Sequence, residues 1–169
     1  MNLYQSLGYL VMGSRLRRLS ESFLSEINRA YQNEGIDFDA SWFPVFYLLS
    51  KNDALSIKEL SEQTEVSHPA ASQLITNLKN KNLVTSVTCA DDGRRQLVTL
   101  TGKGRDLLQQ IMPVWEAILA TMDELIANNP ACDHLLPAVG AMEKVFKQNS
   151  LAEKIGDKLS HELKPAANE

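Results

Sequence analysis

The stretch that decides the fold is residues 56–104, SIKELSEQTEVSHPAASQLITNLKNKNLVTSVTCADDGRRQLVTLTGKG. The spacing of its apolar residues predicts two short helices, over about residues 56–63 and 67–80, that are joined by a tight turn. Ser56 and Glu59 stand in capping-box spacing at the start of the first helix. Two short helices joined in this way are typical of a helix-turn-helix.

The hydrophobic period changes after the second helix. Residues 85–89 and 96–100 alternate between polar and apolar side chains on either side of Asp92-Gly93, and this pattern predicts a β-hairpin. Asn82 stands where the chain leaves the helix, and asparagine tolerates the left-handed backbone that such a position needs. A hairpin that follows a helix-turn-helix would form a wing.

Longer helices are predicted on both sides of this region. Apolar residues recur at helical spacing over about residues 3–33 and 102–128, and again over about 131–149 with an irregular continuation to about residue 159. Residues 42–49 are almost wholly apolar, which predicts a helix buried on several sides. The apolar stripe of a long terminal helix needs a cover, so a partner subunit is expected.

These elements define the expected fold class, which is mainly α with a small β-hairpin wing. The expected architecture is a winged helix-turn-helix lobe attached to a helical dimerisation region. The boundaries are residues 39–101 for the lobe, residues 1–35 and 102–160 for the dimerisation region, and residues 161–169 for a flexible tail.

Composition restricts the class of protein. Hydrophobic residues make up 44% and charged residues 22% of the chain, as is ordinary for a globular protein. We expect no membrane span, because no run of about 18 apolar residues occurs. The positive charges near the N-terminus follow the apolar stretch instead of preceding it, so we expect a cytoplasmic protein without a secretory signal.

Catalytic and metal-binding motifs are missing from the sequence. It contains no GxSxG, no HExxH and no phosphate-binding glycine loop, so an enzyme is not expected, nor is a cofactor. Cys89 and Cys132 form neither a CxxC metal pair nor a disulfide framework, and we expect no metal site. Both cysteines are interpreted as small apolar residues, with redox sensing as the alternative.

The second helix of a helix-turn-helix lies in the DNA major groove, so its exposed face carries the expected DNA contacts. Five apolar residues are expected to face inward: Val66, Ala71, Leu74, Ile75 and Leu78. The amides of Gln73 and Asn77 on the opposite face can pair with adenine. The expected contacts on this helix are Ser67, His68, Pro69, Ala70, Ser72, Gln73, Thr76, Asn77 and Lys79. A plain solvated helix face is the alternative interpretation.

The wing supplies a second set of expected DNA contacts. Arg94 and Arg95 at its tip can enter the minor groove, and Asp92 can hold the Arg94 guanidinium in place. A polar surface turn is the alternative. Further phosphate contacts are expected from Lys81, Lys103 and Arg105. Although the whole chain has a formal net charge of −4, residues 51–105 carry eight Lys and Arg against six Asp and Glu.

The motif Asp92-Gly93-Arg94, followed by Val98-Thr99-Leu100-Thr101 and then Gly104, resembles the D-x-R wing and the L-T-x-x-G sequence of the MarR family of winged-helix regulators. The helical pattern on both sides also fits that family. The resemblance implies a homodimer with interlocked first and last helices, which binds double-stranded DNA and often represses transcription. It also implies release from DNA when a small, frequently aromatic or phenolic ligand binds between lobe and dimer region. A two-fold dimer would read an inverted-repeat operator.

Two positions depart from the family pattern. Asn82 stands where the family usually has a glycine, and Gln73 and Asn77 replace the frequent arginines of the second helix. The second departure leaves the operator sequence open. It also motivates a rival interpretation, in which the chain is a winged-helix adapter that binds proteins and has lost DNA binding.

An aromatic cluster is the candidate wall of a ligand pocket, because such pockets have aromatic walls with few polar groups. Its members are Tyr31, Trp42, Phe43, Phe46, Tyr47 and Trp115. Arg15 is the candidate anchor for a ligand carboxylate. The alternatives are a plain hydrophobic core for the aromatic residues and a solvated helix face for Arg15.

Overall fold

The computed structural model describes residues 3–88 and 96–162, which are mainly helical with one small antiparallel sheet, as expected. The helices are α1 (Leu3–Ser6), α2 (Met12–Asn33), α3 (Phe43–Lys51), α4 (Ile57–Thr64), α5 (His68–Asn80), α6 (Gly102–Ala127), α7 (Leu135–Gln148) and α8 (Leu151–Glu162). The strands are β1 (Leu55–Ser56), β2 (Val84–Thr88) and β3 (Gln96–Leu100).

The N-terminal helix is interrupted, whereas the sequence predicts one helix over residues 3–33. Gly8 has a φ of +54°, which ends α1, and a 3₁₀ turn at Gly8–Val11 precedes α2. The predicted end is confirmed, because Gly35 has a φ of +70° just after α2. Two backbone bonds close a Schellman motif there, from Gly35 N to Gln32 O at 3.0 Å and from Ile36 N to Tyr31 O at 2.9 Å.

The helix-turn-helix consists of α4 and α5. The capping box at the start of α4 is confirmed: Ser56 N donates to the Glu59 carboxylate at 2.8 Å, and Glu59 N donates to Ser56 Oγ at 3.2 Å. The turn contains Glu65 in the left-handed conformation, with a φ of 55°. Ser67 then caps α5 by accepting a bond from Ala70 N at 3.3 Å.

Val66, in this turn, corrects one expectation. Its side chain is 43% exposed, although the sequence pattern placed it inward. The left-handed Glu65 precedes it, and Ser61 Oγ donates to the Val66 carbonyl at 2.8 Å. Helical periodicity does not apply to a residue held in a turn, so Val66 falls outside the apolar face of α5.

The sheet has three strands in the order β1-β3-β2, one more than the hairpin predicted. Strand β1 pairs with β3 through Leu55 and Val98, and the register of β2 on β3 includes Ser86 opposite Val98. Two residues are too few to produce a detectable alternation, so sequence periodicity could not reveal β1. Strand β2 begins at Val84, one residue before the expected start, and the expected last residue, Cys89, lies outside the described residues.

Phe38 lies at the centre of the aromatic part of the core. Its ring makes edge-to-face contacts with Tyr31, Trp42 and Phe46, at centroid distances of 4.9, 5.5 and 5.1 Å. The apolar face of α5 joins the same core through Ile75 and Leu78, whereas its other face is exposed. Burial of these side chains fixes which side of α5 remains available.

Backbone contacts divide the chain into two units, Met1–Leu119 and Ala120–Glu169. The second unit contains the end of α6, a 3₁₀ turn, α7 and α8, and none of its residues 120–160 is buried. The predicted helix over about 131–149 is shorter than expected, and Asn149 in an extended conformation separates α7 from α8. Among the helices of residues 3–88 and 96–162, none has the length and apolar character of a membrane span.

Gly104 lies very close to the backbone of Leu83, and this contact predicts the effect of a mutation. A Cβ atom added there would lie 2.0 Å from the Leu83 carbonyl oxygen, which also accepts a bond from Thr101 N at 3.0 Å. We expect Gly104→Ala to lower the free energy of unfolding by about 1–3 kcal/mol through overpacking, measured by urea denaturation. In the control Gly102→Ala the new Cβ meets nothing within 4 Å. Equal stability of the two variants would contradict this packing.

Candidate functional site

The exposed face of α5 contains the residues that were expected to read DNA. Ser67, His68, Pro69 and Ala70 are exposed around its N-terminus, and Gln73, Thr76 and Asn77 are exposed along it, whereas Ser72 and Lys79 are half-buried. The opposite face is buried through Ala71, Ile75 and Leu78, as predicted. The structure thus leaves the predicted residues of α5 on the side away from the core.

Gln73 and Asn77 are joined to each other. Gln73 Nε2 donates a hydrogen bond to Asn77 Oδ1 at 3.2 Å, across one turn of the helix. The side-chain oxygen of Gln73 remains as an acceptor, next to the side-chain N–H groups of Asn77 as donors. An adenine edge offers the complementary donor and acceptor. The bond was not predicted, although the i, i+4 spacing of two amides could have indicated it.

The wing is described only up to its tip. Thr88 pairs with Gln96, and Gln96 Nε2 donates to Thr88 Oγ1 at 3.2 Å, so β2 and β3 are paired up to these two residues. The candidate residues Asp92, Arg94 and Arg95 lie outside the described residues, as does Cys89.

The basic residues that follow α5 take part in the fold. Lys81 Nζ lies 3.7 Å from the Asp37 carboxylate and 5.1 Å from the centroid of the Trp42 ring. Lys103 Nζ donates to the Lys81 carbonyl at 3.1 Å, and Arg105 Nη1 donates to the Leu100 carbonyl at 2.8 Å. Three of the expected phosphate-binding side chains therefore also hold the ends of α5 and β3.

The first unit contains a cavity of about 390 Å³ between α2, α3 and α6. Four predicted pocket residues line it: Tyr31, Phe43, Tyr47 and Trp115. Trp42 and Phe46 are buried in the core, and Arg15 is exposed on α2 and does not line the cavity. Lining residues that the sequence interpretation missed include Phe23, Ile27, Met112, Glu116 and Leu119. The spacing of Phe23, Ile27 and Tyr31 along one face of α2 could have indicated the first two.

Tyr31 and Trp115 connect the cavity to the core. Trp115 Nε1 donates a hydrogen bond to Tyr31 Oη at 2.9 Å, and the Tyr31 side chain is 1% exposed. Burial raises the pKa of the Tyr31 hydroxyl, and the bond from Trp115 opposes this shift. Phe43 packs edge-to-face on Trp115 at 4.9 Å and stacks on Tyr47 at 5.5 Å.

Within residues 3–88 and 96–162, no group of His, Cys, Asp and Glu side chains is arranged to hold a metal ion. Cys132 is a free, exposed cysteine in the 3₁₀ turn Pro130–Cys132.

Comparison with known proteins identifies the lobe. Residues 36–95, slightly more than a third of the chain, match the model of the MarR family. The structure is similar to that of Staphylococcus aureus MepR in complex with DNA, with a TM-score of 0.63 and 19% identity over 76% of this chain and 96% of that one. Residues 36–95 are thus similar to the MarR family, and the similar solved structure shows the same fold. No curated protein matches it.

Two further MarR-like structures have comparable similarity. Bordetella bronchiseptica BpsR, described with regulation of its DNA binding by 6-hydroxynicotinic acid, is 25% identical, with a TM-score of 0.61 over 79% of this chain and 91% of that one. The repressor CouR, bound to a 23-mer DNA duplex, is 20% identical, with a TM-score of 0.62 over 81% and 96%.

The L-T-x-x-G sequence at residues 100–104 has a physical explanation in this structure. Thr101 Oγ1 accepts a bond from Gly104 N at 3.0 Å and thereby caps α6. Gly104 then passes so close to Leu83 that a side chain would collide with the backbone. The motif is therefore a requirement of the junction between wing and α6.

The Tyr31–Trp115 hydrogen bond gives a prediction with a defined pH dependence. Tyr31→Phe leaves the half-buried Trp115 N–H without its acceptor, so we expect a loss of about 1 kcal/mol in the free energy of unfolding at neutral pH. Because the folded state favours the neutral hydroxyl, the contribution of Tyr31 is present below pH 10.0 and falls as the pH rises through and above it. Wild type and variant should therefore converge in alkaline solution. Tyr9→Phe, at a side chain that is 88% exposed, is the control, and a difference independent of pH would contradict the argument.

Proposed function

We propose that the protein is a homodimeric repressor whose α5 helices and wings bind an inverted-repeat operator, and that a small ligand in the cavity releases it. The observation that carries this proposal is the exposed, neutral and hydrogen-bonding face of α5, held outward by a buried opposite face. MepR and CouR, with similar folds, are described in complexes with DNA. The second helix of a helix-turn-helix enters the major groove by its N-terminal residues.

A homodimer is proposed because both units expose large apolar side chains. On α2 of the first unit these include Leu16, Leu19 and Phe23, which are 46%, 56% and 43% exposed. In the second unit they are Leu125, Leu135, Leu136, Val139, Val145, Phe146, Leu151, Ile155 and Leu159. Clusters of this kind mark interaction surfaces, and a two-fold partner would bring two α5 helices to one duplex.

A protein-binding adapter is the second candidate. It is favoured by the side chains of Lys81, Lys103 and Arg105, which make intramolecular contacts, and by the formal net charge of −4. Both features reduce the positive charge that is available to bind the phosphates of DNA.

Selection from random duplex DNA with the full chain separates the two functions. We expect recovered duplexes with two inverted half-sites about 34–36 Å apart, bound with an affinity that falls as salt increases. Recovery of no preferred sequence at low salt would reject the operator and favour the adapter. Sedimentation of the free protein provides the oligomeric state in the same buffer.

Substitution of Gln73 tests whether this side chain recognises a base. Gln73→Ala should relax the preference at one base pair per half-site, by about 1–3 kcal/mol of discrimination, with little change elsewhere in the site. Because Gln73 is bonded to Asn77, the double variant with Asn77→Ala should lose less than the sum of the single losses. Gln109→Ala, at an exposed amide on α6, is the control. An unaltered selection profile for Gln73→Ala would reject its role.

Arg94 tests the wing. Arg94→Ala should weaken operator binding by about 1–3 kcal/mol without dissociating the dimer. Arg17→Ala removes the same charge from an exposed ion pair with Glu21 on α2 and should leave DNA affinity nearly unchanged. Fluorescence anisotropy at constant salt measures both. Equal affinity of wild type and Arg94→Ala would remove the wing from the interface.

A further inference from the structure

The cavity between α2, α3 and α6 carries charge of one sign. Glu116 is the only charged residue in its lining, which contains no Lys, Arg or His. Among residues 3–88 and 96–162, none forms an ion pair with the Glu116 carboxylate. A bound carboxylate would therefore meet a like charge without a neutralising cation, and this disfavours an acidic ligand.

Three aromatic rings from α3 and α6 form one wall of the cavity. Phe43 contacts both Tyr47 and Trp115, and the Tyr47 and Trp115 centroids are 6.1 Å apart. The face of an aromatic ring attracts cations, most strongly when the site excludes water. Lys51 Nζ already lies 5.7 Å from the Tyr47 centroid, but Lys51 is not a lining residue. The described residues place no cation over the Phe43 or Trp115 ring.

We propose that this cavity binds a small organic ammonium ion, with its positive charge against the aromatic wall and near Glu116. The volume of about 390 Å³ is within the usual range of about 300–1,000 Å³ for small-molecule pockets. Aromatic faces and one carboxylate stabilise the same charge, whereas a neutral ligand gains only from apolar contact. The inference rests on the proposed function, since it names the chemical class of the proposed effector.

Three probes of similar size test the charge preference on the full-length protein. Calorimetry is carried out with phenyltrimethylammonium, with its neutral isostere tert-butylbenzene, and with benzoate. We expect the cation to bind about three- to tenfold more tightly than the isostere, and benzoate to bind more weakly than both.

Variants of Glu116 locate the source of that preference. Glu116→Gln should lower cation affinity by about three- to tenfold and leave the affinity for tert-butylbenzene unchanged, while Glu116→Asp should keep a preference for the cation. Asp106→Asn removes the same charge about 15 Å away along α6, outside the lining, and should have no effect. The inference is overturned if the isostere or benzoate binds wild type as tightly as the cation. It is also overturned if Glu116→Gln does not alter cation affinity, or if no probe binds, as when a second copy fills the cavity.

A separate measurement keeps this inference apart from the proposed function. Affinity for the selected duplex is measured with and without phenyltrimethylammonium. Cation binding that depends on Glu116 but leaves DNA affinity unchanged supports the ammonium site and rejects its role as the release site. DNA binding released by benzoate but not by the cation supports a regulated repressor and rejects the ammonium site.

Discussion

The junction between the end of α5 and the start of α6 is the constraint on which the lobe depends. Three successive carbonyl groups, of Lys81, Asn82 and Leu83, accept bonds from Lys103 Nζ, Thr101 Oγ1 and Thr101 N at 3.1, 2.6 and 3.0 Å. These carbonyl groups follow the last turn of α5, and Thr101 and Lys103 at the start of α6 supply their donors. Only a glycine at position 104 permits this approach. The outward face of α5 is thereby set relative to the start of α6.

The cavity and the end of α5 have a common neighbour. Ala40 and Phe43 line the cavity, and Trp42, between them in sequence, lies under the Lys81 ammonium at 5.1 Å. Asn28 of α2 accepts a bond from Ala40 N at 2.7 Å, which ties this segment to the helix on the other side of the cavity. A ligand that displaced this segment would act on residues in direct contact with Lys81. Ligand binding in the cavity would then be coupled to the end of α5 only if this segment has two arrangements. A ligand can shift the balance between them only if its affinity for the two arrangements differs.

Local rules predicted much of the fold, and tertiary contacts decided the rest. The capping box at Ser56 and the left-handed Asn82 depend on a few neighbouring residues, and both were predicted correctly. Strand β1 exists only because β3 lies beside it, so no local pattern could reveal it. For the same reason, the sequence could not separate Phe43, which lines the cavity, from Phe46, which is buried in the core. Which side of α3 faces the cavity, and which side of α6 does so, depends on tertiary packing.

The distribution of charge explains how an acidic chain can still be suited to a duplex. The side-chain amides on α5 carry no charge. They can form hydrogen bonds with a base edge only if they are held at the correct position and angle to it. Lys81 and Lys103 contribute to that placement through Asp37 and the end of α5, in addition to any attraction for phosphates. A small cationic surplus would give the proposed regulator little non-specific affinity for DNA, since most of that affinity comes from phosphate neutralisation. In the proposed dimer, discrimination would depend mainly on the geometry of α5 and on the spacing between the two copies.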